Sequence, residues 1–265
     1  MARCGRRERE IADLKLHVDL GNSRLKWRLG SGPVGIVELP PEPHEGLRWL
    51  DEVWAGLEPP KSVYLAAVAR EATQLELRGW IQGRWPKARQ VWLKSRRSVC
   101  GVRVCYETPE RFGIDRLAAL VAARQIHRNQ PLLVIDAGTA LTADLLDESG
   151  HHQGGLIMPG LGMMHTALLA GTAIDRGAPC EATASNGAGL ACSTEAALEM
   201  GPMFMLAACV DRLIDEVTAG DGRTQVVLTG GDAEALRRAL GARDSIEYVP
   251  DLVLDGVAEL ARALR

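Results

Sequence analysis

Leu16-His17-Val18-Asp19-Leu20-Gly21-Asn22-Ser23 is a pattern the chain uses twice. It returns as Leu132-Leu133-Val134-Ile135-Asp136-Ala137-Gly138-Thr139-Ala140. Each time an apolar run ends in Asp-x-Gly, and a second apolar stretch follows, over residues 25–29 and 141–146. The spacing predicts two strands joined by a tight turn. A glycine there lets backbone approach a phosphate, and the acid beside it can hold the accompanying cation. Asp, Gly, Asn and Ser also serve plain hairpin turns, so one copy alone decides little. Two copies, from two related halves, suit a nucleotide gripped from opposite sides.

Working outward, residues 14–19, 24–29 and 34–39 are expected to form a three-stranded meander. Pro40, Pro41 and Pro43 end it. Leu47, Leu50, Val53, Trp54 and Leu57 then have helical spacing over residues 44–57. A strand at 62–68, a helix at 75–81 and a strand at 90–93 complete the first half. A helix is expected over 114–127, with Leu117, Leu120, Val121 and Arg124 in register. The second half repeats the opening, with strands at 132–136, 140–146 and 154–158. Pro159 and Gly160 turn into a helix reaching 168, and residues 175–192 read as loops. Ser193 or Thr194 caps a helix to about residue 217. A strand at 225–229, a helix at 233–240, a short strand at 246–249 and a helix at 252–264 follow. Two β-β-β-α-β halves predict a duplicated α/β fold of two lobes, with the Asp-x-Gly turns lining a central cleft. The division expected is a flexible tail over 1–12, a lobe over 13–112 and a lobe over 113–265.

Composition narrows the function classes. Of the 265 residues 46% are hydrophobic, 25% charged and only 4% aromatic, and the net charge is −3. That favours an ordinary globular protein without a basic field for nucleic acid. No apolar run approaches the roughly 20 residues of a membrane span. Arg3 to Arg9 lead into no signal-type apolar core. The six cysteines form no Cys-x-x-Cys pair, which suits free thiols in a reducing cytosol. The chain is therefore expected to be cytoplasmic, without nucleic-acid or membrane partners.

No G-x-x-x-x-G-K-[ST] loop, G-x-G-x-x-G turn, protein-kinase set or G-x-S-x-G elbow is present. Nucleotide binding would fall to the Asp-x-Gly turns. Around the first, Asn22, Ser23 and turn amides can donate to phosphate, and Lys26 can reach a negative charge. Gly113-Ile114-Asp115-Arg116 opens a helix, where an Asp also serves simply as a dipole-favoured first-turn residue. Leu228-Thr229-Gly230-Gly231-Asp232 ends a strand in two glycines, a place for a nucleoside or an ordinary turn. His151 and His152 are expected to be solvated. Met163, Met164, Met200, Met203 and Met205 read as core filler. Lys94-Ser95-Arg96-Arg97 reads as a solvated loop whose charges can also serve an anionic substrate. Trp49, Trp54, Trp80, Trp85 and Trp92 read as packing residues.

The ordered set resembles one family. The Asp19 turn is followed by Tyr106-Glu107-Thr108-Pro109-Glu110-Arg111-Phe112-Gly113-Ile114-Asp115-Arg116. Then come Asp136-Ala137-Gly138-Thr139-Ala140-Leu141-Thr142 and Gly154-Gly155-Leu156-Ile157-Met158-Pro159-Gly160. Ser193-Thr194-Glu195-Ala196-Ala197 and Thr229-Gly230-Gly231-Asp232 complete it. Over about residues 14–262 the chain resembles type III pantothenate kinases, also called the Bvg accessory factor family. The resemblance implies an actin-like, Hsp70-like ATPase fold with ribonuclease H-like halves, working as a homodimer. It implies ATP-dependent phosphorylation of pantothenate to 4'-phosphopantothenate, the first step of coenzyme A synthesis, with Mg²⁺ and a monovalent K⁺ or NH₄⁺. By the same resemblance Asp19, Leu20, Gly21, Asn22, Ser23, Arg24, Leu25 and Lys26 cradle the ATP phosphates, with Thr139 also on ATP. Asp115 is the proton acceptor. Tyr106, Gly113, Ile114, Arg116 and Thr194 meet pantothenate. Asp136, with Asp19, serves the metal sites. Ser23 replaces a threonine common in the family, keeping the hydroxyl. A regulatory accessory protein that has lost catalysis, or a kinase for another small molecule, are the alternatives.

Overall fold

Alternating apolar residues at Leu16, Val18 and Leu20 build the central strand of the first sheet in a computed structural model of the chain. The structure describes residues 14–39, 47, 49–174, 190–219, 222–241, 243 and 246–264. The expected tail, the proline break at residues 40–43 and most of the 175–192 stretch lie outside them.

The first sheet holds β1 (Lys15–Leu20), β2 (Arg24–Leu29), β3 (Val34–Glu38), β4 (Ser62–Ala67) and β5 (Arg89–Trp92), in the order β3-β2-β1-β4-β5. β1, β2 and β3 are an antiparallel meander, while β4 and β5 extend the sheet in parallel. Parallel pairing needs crossovers. These carry α1 (Leu50–Val53) and α2 (Glu71–Arg84). Their side of the sheet buries Leu16, Val18, Leu20, Leu25, Val63 and Leu65 with Leu77 and Ile81. Trp54 is fully buried there and stacks on Trp85 at 5.6 Å, with Trp27 and Trp80 edge-on to it. Such ring packing adds to area burial, so the tryptophans are structural as expected. α2 is longer than expected because its first turn, Glu71-Ala72-Thr73-Gln74, carries no apolar period.

The opposite face of this sheet meets α3 (Ile114–Ile126) and the last helix, α7 (Leu252–Ala263). Gly256 permits their contact: a Cβ there would lie 1.9 Å from the Ala118 carbonyl oxygen. Arg28 on β2 ties α7 down, its guanidinium 2.5 Å from Asp255 and 3.5 Å from Asp251. The chain therefore divides after Ile126 and again after Pro250, rather than at 112/113. α3 and α7 belong with the first sheet because their apolar faces are buried on it and on each other.

The second unit, His127–Pro250, repeats the first sheet. It holds β8 (Leu132–Ala137), β9 (Ala140–Leu146), β10 (His152–Pro159), β11 (Gln225–Thr229) and β12 (Ile246–Tyr248), in the order β10-β9-β8-β11-β12. The two orders match strand for strand, and so do the antiparallel and parallel pairings. α4 (Leu161–Gly171), α5 (Thr194–Thr218) and α6 (Ala233–Ala239) contribute Met164, Leu206, Val210, Ile214 and Leu236 to its core. β10 starts two residues before the expected strand because a bulge at His152/Gly154 interrupts its alternation.

One element was not expected and three expectations need correction. A short hairpin, β6 (Ser98–Val99) with β7 (Val102–Arg103), has too few residues to show a period. The helix expected over 44–57 is described as helical only at Leu50–Val53, with residues 40–46 and 48 outside the described set. His152 is not solvated: it is buried, its Nε2 2.8 Å from the buried Asp144 carboxylate. Of the methionines, Met164 is core, but Met163 and Met205 are exposed.

His17, on the α7 side of β1, makes a stability prediction. Burial, with the charges of Arg28, Lys15 and Arg262, lowers its pKa from 6.5 to about 4. The native state thus keeps the imidazole neutral while the unfolded chain protonates it near pH 6.5. Its contribution is complete above that pH and is lost as pH falls toward 4, by up to roughly 3 kcal/mol. Urea midpoints measured from pH 7.5 to 4.5 are expected to fall less steeply for His17→Gln than for the native chain. Parallel curves would refute this contribution.

Candidate active site

Each unit carries the same turn at the head of its central strand. In the first, the Gly21 N–H donates to the Arg24 carbonyl at 3.0 Å, closing the bend between β1 and β2. The Leu20 carbonyl accepts from the Val68 and Ala69 N–H groups just past β4. The Ser23 carbonyl accepts from the Leu39 N–H at 2.8 Å, just past β3. In the second, the Gly138 N–H donates to the Ala140 carbonyl at 3.2 Å. The Ala137 carbonyl accepts from the Asp232 N–H past β11 at 2.9 Å, and the Thr139 carbonyl from the Gly160 N–H past β10 at 3.1 Å. Each turn is thus tied to the chain leaving both neighbouring strands.

Asp19 and Asp136 stand at matching positions, and both are half-buried. Asp19 is paired in register with Lys26 on β2 and Ala66 on β4. Asp136 is paired with Thr142 on β9 and Thr229 on β11. Strand alternation sets both acids on the face opposite the core residues beside them. Leu20 and Leu25 are core side chains, so only their backbone can serve a ligand. Asn22 and Ser23 are exposed, and Arg24 and Lys26 are half-buried.

Glycines shape the second turn. Gly230 has φ +103°, and a Cβ there would lie 2.5 Å from Asp136 Oδ1 and 2.4 Å from the Ala137 carbonyl oxygen. A Cβ at Gly160 would lie 2.3 Å from the Gly138 carbonyl oxygen. Any side chain at either place would push the turn or the carboxylate aside. Thr139 is exposed at its tip.

The first unit also holds the Asp115 cluster. Asp115 occupies the first turn of α3, half-buried, and its Oδ1 accepts the Arg116 N–H at 2.8 Å. A Cβ at Gly113 would lie 2.5 Å from that oxygen, so the glycine makes room for the carboxylate. The Arg116 side chain is buried. Its Nη1 donates to the Tyr106 hydroxyl at 3.2 Å, and its guanidinium lies 4.6 Å over the Phe112 ring. Tyr106 meets the same ring edge-on at 5.1 Å. The structure therefore brings Tyr106, Gly113, Asp115 and Arg116 together. Ile114 points into the core and can serve only through backbone. Thr194 is exposed at the first position of α5, behind Ser193, whose hydroxyl accepts the Ala196 N–H as the helix cap.

Two contacts of this cluster were not foreseen. Phe112 links Tyr106 to Arg116, although as a lone aromatic between loop and helix it gave no periodic signal. Arg97, exposed as expected of a solvated loop whose charges can also serve an anionic substrate, donates in addition to the carbonyls of Val104, Tyr106 and Glu107. Ser95 beside it is buried.

Two five-stranded sheets of one order, each with an acidic Asp-x-Gly turn on its central strand, define the actin-like ATPase fold used by small-molecule kinases. Solved structures agree. A Baf family protein of Campylobacter jejuni superposes with TM-score 0.54 at 19% identity, over 93% of this chain and 97% of that one. Acetate kinase of Porphyromonas gingivalis does so with TM-score 0.51 at 12% identity, over 96% and 100%. The chain belongs to the type III pantothenate kinase family, whose model matches residues 15–216. Type III pantothenate kinase of Nitrosococcus oceani is 37% identical over 254 residues, 93% of each chain. That of Nitrosospira multiformis is 33% identical over 250 residues, 94% of this chain and 91% of the relative.

Proposed function

We propose that this chain transfers the γ-phosphoryl group of ATP to the primary hydroxyl of pantothenate, the first step of coenzyme A synthesis. The seat of Asp115 carries the proposal most directly. A half-buried carboxylate with room made by Gly113, beside a tyrosine and a buried arginine, suits a polar substrate with its own carboxylate and hydroxyl. Phosphoryl transfer passes through a loose transition state, so the protein mainly positions groups and neutralises charge. A weak base suffices if it stands within about 3 Å of the hydroxyl, because the proton leaves late. Asp115 takes that proton. Tyr106, Gly113, Arg116 and Thr194 hold pantothenate. The Asp19 to Lys26 turn and Thr139 hold ATP.

Asp136 and Asp19 offer carboxylate oxygens, the donor chemistry that hard cations prefer. Asp136 is assigned to K⁺ or NH₄⁺ and Asp19 to the Mg²⁺ that accompanies ATP. When bound, these ions neutralise charge on the phosphates. The chain's own part is to hold each acid in a turn tied to both neighbouring strands, and at Asp136 to keep a Cβ off the carboxylate through Gly230.

A homodimer is the proposed assembly. Ile157 on the edge strand β10 is 65% exposed, and Phe204 on α5 is 75% exposed, with Met205 and Met163 exposed as well. β10 and α5 both pack against α4, so these apolar side chains lie on neighbouring elements. Exposed apolar residues so grouped mark an interface, and a second copy of this chain is the occupant proposed.

Three outcomes are expected. Asp115→Asn lowers pantothenate-dependent ATP turnover by at least about 100-fold while ATP binding persists. Near-native turnover there would remove Asp115 as base, and equal turnover of glucose, glycerol or acetate by the native chain would sink the substrate assignment. Replacing K⁺ and NH₄⁺ by Na⁺ is expected to abolish most activity, and an indifferent rate would take the cation role from Asp136. In light scattering the native chain is expected at twice its 28.6 kDa and Phe204→Glu near that mass. A native monomer would discard the dimer.

A further inference from the structure

Residues 104–108 carry Tyr106 between β7 and the short 3₁₀ turn Pro109–Arg111, yet they belong to no helix or strand. A segment without a ladder needs another anchor if Tyr106 is to stand in one place. Three of its carbonyls converge on one side chain. Arg97 Nη1 donates to the Tyr106 carbonyl at 2.6 Å and the Val104 carbonyl at 3.4 Å, and Nη2 donates to the Glu107 carbonyl at 2.8 Å. The hairpin between them sets the register. Cys100 at φ +48° and Gly101 at φ +80° turn β6 into β7. The Val104 N–H then donates to the Arg97 carbonyl at 2.9 Å. Arg97 is thus opposite the segment it holds through both backbone and side chain.

The geometry points to Arg97 as a positioning residue for the pantothenate site. Its planar fork offers donors to several carbonyls at once, which a lysine ammonium on a flexible stem does not match. Bonds to a charged donor are the stronger kind. Held there, Tyr106 keeps its hydroxyl on the buried Arg116 and its ring against Phe112. Arg97 spends its guanidinium on backbone and acts through Tyr106. The ligand named here rests on the pantothenate assignment, whereas the anchoring does not.

The test uses the full native chain, Arg97→Ala and Arg97→Lys, with two readouts. Amide hydrogen exchange is expected to speed up in residues 104–108 by at least about tenfold in Arg97→Ala, with the rest of the chain unchanged. Steady-state kinetics are expected to show KM for pantothenate raised about tenfold, with kcat and KM for ATP within about twofold. Arg97→Lys is expected to restore less than half of either effect. Unchanged exchange in 104–108 would overturn the anchoring, whatever the substrate. A fallen kcat with native KM for pantothenate would overturn the role in that site and mark a merely structural arginine. Should the native chain not phosphorylate pantothenate at all, the substrate assignment fails, and exchange alone still decides the anchoring.

Discussion

A carbonyl at the tip of each central strand, that of Leu20 or Ala137, is tied to an N–H just past the neighbouring parallel strand. Much else follows from that tie. A turn at the end of a hairpin ordinarily moves with its two strands. Here the next strand's exit also grips it, and so does the chain leaving the meander's third strand. The acid beside the carbonyl inherits this rigidity. Side-chain entropy is then spent in folding rather than in ligand capture, which is what preorganisation means in physical terms.

The tie explains the glycines. For the β11 exit to approach the Asp136 turn closely enough to bond, Gly230 must adopt φ +103° with no Cβ against Asp136 and Ala137. Gly160 stands similarly over Gly138 and Thr139. Close backbone approach and an unobstructed carboxylate are two consequences of one requirement. The Asp115 seat uses the same device at a helix start, with Gly113 clearing the carboxylate. Aromatic and charged groups then take over: Phe112 packs against both Tyr106 and Arg116, which also bond to each other, so that each of the three limits the others.

Duplication builds the same acidic turn twice. The two sheets share strand order and pairing, so the acids fall at matching positions. Their surroundings differ. Asp19 has a lysine beside it in register, where Asp136 has threonines. A lysine suits phosphate, and hydroxyls beside a carboxylate suit a cation. The helices diverge more than the sheets, because each unit covers its apolar face with what its crossovers supply.

The two apolar runs ending in Asp-x-Gly were legible because strand alternation and turn chemistry are local, and from them came the α/β class, the duplication and nearly every strand. Asp19, Asp136 and Asp115 were legible for the same reason, as acids beside glycines at predicted turns and helix starts. The hairpin at 98–103 was not, being too short for a period. Nor was the return of residues 252–263 to the first sheet, which rests on Gly256 meeting Ala118 across more than a hundred residues of chain. The burial of His152 against Asp144 and the grip of Arg97 on the Tyr106 segment were equally hidden. Local pattern determines what a segment forms. Only the packed chain decides which polar groups find partners, because those contacts depend on distances that no window of sequence contains.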